Sequence, residues 1–136
     1  MKRNATAVWN GSLMEGAGKL TTQSTTLVNT QYSFKSRFAE GVGTNPEELV
    51  AAAHAGCFTM QLTAFIGETT AVIESIETKC EINLVEGTII GSHLTVNAKI
   101  KGISDETFQE LVTKAENNCP ISKLFNTEIT STATLI

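Results

Sequence analysis

Apolar positions in this chain change their spacing several times, and each change marks a predicted element. In the first third the apolar residues come in short runs. Residues 5–9, 19–25 and 31–38 carry Thr, Val, Tyr and Phe, with Asn10-Gly11 and Gly16-Ala17-Gly18 as turn signals between the first two. These read as three short strands. The spacing then becomes helical over residues 46–66. Thr44 or Asn45 can cap that helix, Pro46 suits its first position, Glu47 and Glu48 complement the positive end of the dipole, and Gly67 stops it. Leu49, Val50, Phe58, Met60, Leu62, Phe65 and Ile66 point in nearly every direction around the axis, which predicts a buried helix. The stretch from Ala51 to Gly56 is small apart from His54, so a second helix can approach it closely.

Period-two alternation follows. Val72, Ile76, Cys80, Ile82 and Leu84 fall on one face of a strand, and Leu94, Val96, Ala98 and Ile100 on one face of the next, with Glu86-Gly87 as the hairpin turn. A second helix has Ser104 as N-cap and Phe108, Leu111, Val112 and Ala115 as its stripe, and it stops at Cys119-Pro120. A last strand covers residues 128–135. Strands, helix, hairpin, helix and strand predict an α+β fold with a largely antiparallel sheet. No linker, repeat or low-complexity tract interrupts it, so residues 1–136 read as a single domain.

Composition narrows the partners. A 41% apolar and 18% charged chain of 136 residues is ordinary globular protein. The net charge of −4, with no basic block, argues against a nucleic-acid partner. Met1-Lys2-Arg3 is basic as a leader would be, yet no apolar run follows it, and no stretch reaches the ~18 consecutive apolar residues of a membrane span. The expectation is a cytoplasmic protein away from the membrane. Three cysteines, an odd number, do not suggest a disulfide framework; in a reducing compartment a disulfide is usually transient and catalytic or redox-sensing.

Each cysteine therefore has its own reading. Cys80, on the apolar side of its strand, is expected to pack as a small hydrophobe. Cys57 lies inside the apolar helix, where inert packing and a reactive thiol are both open. Cys119, before a proline at a helix end, is expected to be the more accessible thiol. A reactive cysteine needs its thiolate, and Cys57 stands about three turns into its helix, too far for the N-terminal dipole to help much. Arg37, at the end of the third predicted strand, can supply positive charge, and Glu47 can hold the guanidinium through a bidentate pair. Two ordinary surface charges are the competing reading. His54 and Cys57 share a helical face at i, i+3, but no further ligand pair accompanies them, so no metal site is expected. His93 falls on the polar, solvated face of its strand. Nucleophile-elbow, phosphate-loop and dinucleotide fingerprints are absent.

Taken together, Arg37-Phe38, the run from Gly43 to Leu49, the run from Ala52 to Phe58, and Cys119-Pro120-Ile121-Ser122 resemble the OsmC/Ohr family of hydroperoxide reductases. Order and spacing match from Trp9-Asn10-Gly11 to the last strand, and Ala-Ala-His-Ala before Cys57 is closer to the OsmC branch. The resemblance implies antiparallel sheets wrapped around two central helices in an intertwined homodimer. It implies that Cys57 is the peroxidatic cysteine, Cys119 the resolving one, and Arg37 with Glu47 the activating pair. The implied substrates are organic hydroperoxides and hydrogen peroxide, the implied reductant is an external dithiol, and neither metal nor organic cofactor is required. Cys80 matches no functional position of the family. Glu47 and Cys57 are ten residues apart on one helix, ~15 Å along its axis, so a shared site draws on the partner subunit. Two other classes remain open at this point: a redox sensor or small-molecule-binding protein on the same fold without turnover, and a structural dimer with inert cysteines.

Overall fold

The computed structural model describes residues 1–136, in which contacts divide the chain into two units, Met1–Leu49 and Val50–Ile136. In the first, Gly11 takes φ +92°, a left-handed conformation that costs glycine little. The chain passes through it from β1 (Ala5–Asn10) and returns as β2 (Ala17–Thr22), antiparallel, with β3 (Thr30–Tyr32) on the far side of β2. Trp9 and Tyr32 flank Gly18 in the register, their rings 5.4 Å apart. A Cβ at Gly18 would collide with the Tyr32 ring, so the aromatic pair requires glycine there.

The third strand is shorter than predicted, because Phe34–Phe38 forms a helix, α1. Ser33 caps it: its hydroxyl accepts from the Ser36 amide at 3.1 Å, and the Ser36 hydroxyl accepts from the Ser33 amide at 2.8 Å. That reciprocal cap overrides the strand preference of the flanking aromatics. Arg37 therefore stands on a short helix and not at a strand end.

Helix α2 spans Pro46–Ile66, as predicted, and Asn45 is its cap, accepting from the Glu48 amide at 2.8 Å. After it come β4 (Val72–Val85), β5 (Thr88–Lys101), α3 (Asp105–Asn118), α4 (Pro120–Leu124) and β6 (Glu128–Leu135). Glu86 and Gly87 turn the β4–β5 hairpin with φ of 48° and 77°. Strand β6 lies beside β5 in parallel, the one parallel pairing in the two sheets, because α3 and α4 carry the chain back across before it re-enters. A register irregularity between Ile73 and Ser75 shifts the start of β4 by one position. Ile73 thereby packs on the core and Val72 is left exposed, the reverse of the predicted alternation.

The core of the second unit joins Phe58, Leu62 and Ile66 of α2, Leu94, Val96 and Ala98 of β5, and Phe108, Val112 and Ala115 of α3. Helix α2 is thus buried along one face only, where the sequence predicts burial all round; Ala52, Ala53, Gly56 and Met60 are exposed. By length and composition the 21-residue α2 is apolar enough to cross a membrane, contrary to expectation. Its inner face, however, is committed to this core.

Candidate active site

Pro120 decides where α3 ends. It excludes Cys119 from helical geometry, and Cys119 takes φ −59°, ψ 125° at the corner between α3 and α4. The corner turns the Cys119 side chain inward until it is fully buried, so the expectation of an accessible thiol is corrected. There it joins the core cluster against which Cys57 packs, and both sulfurs are free. Cys57 is half-buried and opens onto a groove of about 280 Å³ lined by Met60, Gln61, Ala64 and Pro120. Desolvation pushes its thiol up, and the Cys119 thiol adds to that rise; the backbone N–H of Ile121 acts in the opposite direction.

The other predicted pair also meets, within the first unit. The Arg37 Nη2 donates to Glu47 Oε1 at 2.7 Å, and its Nε reaches Oε1 at 3.1 Å and Oε2 at 3.2 Å, a two-pronged clasp. Hydrogen bonding to Glu47 raises the Arg37 pKa, and hydrogen bonding to Arg37 lowers that of Glu47, so the pair is ionic. The clasp has a scaffold: the Ser36 hydroxyl donates to the Thr44 carbonyl at 2.8 Å and the Asn45 amide to the Ser36 carbonyl at 3.0 Å, tying α1 to the start of α2. Beside Arg37 lies a cavity of about 150 Å³ walled by Trp9, Leu13, Tyr32, Phe34 and Phe38. Arg37 and Glu47 thus belong to one unit, Cys57 and Cys119 to the other.

The second unit holds a polar cluster that the sequence reading did not assemble. His54 is fully buried, with Nδ1 2.7 Å from the Ser92 hydroxyl and Nε2 2.9 Å from the Ser122 hydroxyl. Both ring nitrogens are therefore occupied by serines. The Phe125 ring meets the imidazole edge-on, and burial lowers its pKa, which favours the neutral form. Cys80 joins the cluster, with its sulfur 3.3 Å from the Ser92 hydroxyl, so its role is not packing alone. The signal for Ser92 was available: a serine in phase with Leu94 and Val96 is a polar group on a core face, which needs a buried partner. His93, on the opposite face, bonds Thr130 at 2.7 Å.

Comparison with known proteins identifies the family and the fold. The family model described as OsmC-like protein matches residues 39–134. "Peroxiredoxin OsmC" of Escherichia coli (strain K12) is 36% identical over 128 residues, 91% of this chain and 90% of that protein. Among solved structures, the organic hydroperoxide resistance protein OhrB of Bacillus subtilis superposes with a TM-score of 0.68 at 28% identity, covering 98% of both chains. An OsmC-like protein from Mycoplasma pneumoniae shares the fold at 12% identity, with a TM-score of 0.80 over 100% of this chain and 98% of that one. The chain belongs to the OsmC-like family.

Proposed function

We propose that this chain is a cysteine-based hydroperoxide reductase, in which Cys57 attacks the peroxide and Cys119 resolves the product. The observation that carries the reading is Cys119 turned inward at the α3–α4 corner into the cluster against which Cys57 packs, with Cys57 open to a groove. In the first step the Cys57 thiolate attacks one peroxide oxygen, the O–O bond breaks, and the alkoxide leaves as alcohol after taking a proton. Cys57 becomes a sulfenic acid. Cys119 then displaces hydroxide from that sulfur, its own thiol proton completes a water, and a disulfide remains. An external dithiol reopens it by exchange, which suits the reducing cytoplasm.

Burial works against the first step, since it holds Cys57 protonated. The reading therefore assigns Arg37 to stabilise the thiolate and Glu47 to aim the guanidinium. Along α2 the Glu47 and Cys57 backbones are ~15 Å apart, so Arg37 and Glu47 of the partner subunit are assigned to each Cys57 in a homodimer. The aromatic cavity beside Arg37 supports an organic hydroperoxide as the better substrate and hydrogen peroxide as the poorer one.

The test is mass spectrometry after one equivalent of an organic hydroperoxide. A Cys57–Cys119 crosslink, reopened by dithiol over repeated turnovers, is expected. Oxidation of Cys57 without turnover would make the protein a sensor, and unreactive thiols would end the enzymatic reading.

A further inference from the structure

Two ladders run side by side in the second unit. On α2, His54 and Cys57 are three residues apart, one turn, and on α4 Ser122 stands one turn beyond Cys119. The His54–Ser122 hydrogen bond of 2.9 Å joins the two at one rung, and at the next Cys57 packs against the cluster that holds Cys119. The opposite nitrogen of His54 is fixed to β5 through Ser92 at 2.7 Å, so the imidazole cannot swing away from α4 without losing a second buried bond. Helix α4 is only five residues long, and its cap residue, Cys119, makes no side-chain capping bond. His54, Ser92 and Ser122 are all buried, and no buried side-chain nitrogen or oxygen lacks a partner.

We propose that His54, acting through Ser122, is a positioning residue for disulfide closure: it clamps α4 against α2 so that Cys119 stays in line with the Cys57 sulfur. This rests on the peroxidase reading only for the step it serves; the clamp is a property of the thiol pair. Neither His54 nor Ser122 touches the reacting sulfur in this role. Closure needs the Cys119 sulfur, the Cys57 sulfur and the departing hydroxide nearly collinear, so a short helix free to shift lowers the effective concentration of one thiol at the other. The peroxide-attack step draws on Cys57 with its assigned Arg37 and Glu47, and on α4 only through the Ile121 backbone N–H, so loss of the clamp falls mainly on closure.

Ser122→Ala removes one oxygen and keeps the backbone; Ser122→Thr restores the hydroxyl. Two readouts apply to the full-length protein. In single-turnover reactions with cumene hydroperoxide, Ser122→Ala is expected to form the Cys57 sulfenic acid at the wild-type rate and to close the disulfide about tenfold more slowly, with Ser122→Thr recovering most of the loss. In glutathione redox buffers without peroxide, the effective concentration of the two thiols is expected to fall by a similar factor, about tenfold. His54→Gln should reproduce both effects. Unchanged closure and unchanged glutathione equilibria in Ser122→Ala would overturn the clamp, as would equal slowing of both steps. A wild-type protein inert to hydroperoxide but showing the glutathione effect would remove the peroxidase reading and leave the clamp standing.

Discussion

Arg37 grips Glu47 with two nitrogens, Nη2 at 2.7 Å and Nε at 3.1 Å from the same carboxylate oxygen. Such a clasp fixes the plane of the guanidinium, which a lysine cannot imitate with a single ammonium. Its side chain is still 38% exposed, so the pair contributes little to stability and its value lies in aiming a charge. If that charge serves Cys57, Arg37→Ala should raise the Cys57 pKa. Alkylation of Cys57 at mildly acidic pH should then slow about tenfold, because less of it is thiolate. Alkylation at the wild-type rate removes Arg37 from the activating role.

The two cysteines should fail in different ways. Cys57→Ser leaves no sulfur for the peroxide to meet, so consumption is expected to fall to background. Cys119→Ser retains the attacking sulfur but cannot close the disulfide. A first equivalent of peroxide should take Cys57 to the sulfenic acid, and a second and third should carry it on to sulfinic and sulfonic acids, seen by mass spectrometry. Full turnover by the Cys57 variant would reverse the assignment.

The aromatic cavity gives a selectivity prediction. Trp9 and Phe34 wall a space of about 150 Å³ beside Arg37. Trp9→Ala should raise KM for cumene hydroperoxide by about tenfold, the order expected for lost apolar contact with substrate, and leave hydrogen peroxide kinetics nearly unchanged. Equal losses on both substrates would mean that the cavity does not hold the organic group.

His54 predicts a pH dependence of stability. Its neighbours are Ser92, Ser122, Cys80 and Phe125, none of them charged at neutral pH. Burial lowers its pKa in the folded chain, whereas the unfolded chain titrates near ~6.5. Below that value the unfolded state binds the extra proton first. The stabilisation is therefore complete above pH ~6.5 and is lost as pH falls through the folded value. Thermal melts should show Tm dropping below that pH in the wild type and a flatter profile in His54→Gln. Parallel profiles would show that His54 titrates alike in the folded and unfolded states, against a burial effect on its pKa.

Much of this was legible in the sequence wherever a local rule acted alone. Pro46 and Asn45 started α2, Ser104 started α3, Pro120 ended it, and Glu86-Gly87 turned the hairpin. Local rules failed where a side chain competed with propensity. The Ser33–Ser36 cap made a helix of a stretch whose aromatics suggested a strand, and the irregularity after Ile73 exchanged Val72 for Ile73 on the core. The short helix α4 was not foreseen, because the same Pro120 that ends one helix is a good first residue for another. Cys119 at that corner was read as accessible, yet the turn buried it. The pairing of Arg37 with Glu47 followed from charge type, while the His54–Ser92–Ser122 network depends on contacts 38 and 68 residues apart, beyond any local pattern.

The composition of α2 carries a further consequence. Its apolar side chains point all round the axis, yet only the face of His54, Phe58, Leu62 and Ile66 is fully buried by this chain. Met60 remains 76% exposed, and a Cβ added to Gly56 would meet nothing within 4 Å. A second copy of the chain, as in the proposed homodimer, would cover a face of this kind, and the small residues Ala52, Ala53 and Gly56 would let its backbone come close. Met60→Glu should then set two carboxylates near the two-fold axis, where like charges cost several kcal/mol. Light scattering should report the mass of one chain in place of two, and peroxide reduction should fall because Arg37 of the partner subunit is lost with the interface. The Cys57–Cys119 equilibrium in glutathione buffers should persist, since both sulfurs belong to one chain. A dimeric, fully active Met60→Glu protein would place the interface elsewhere.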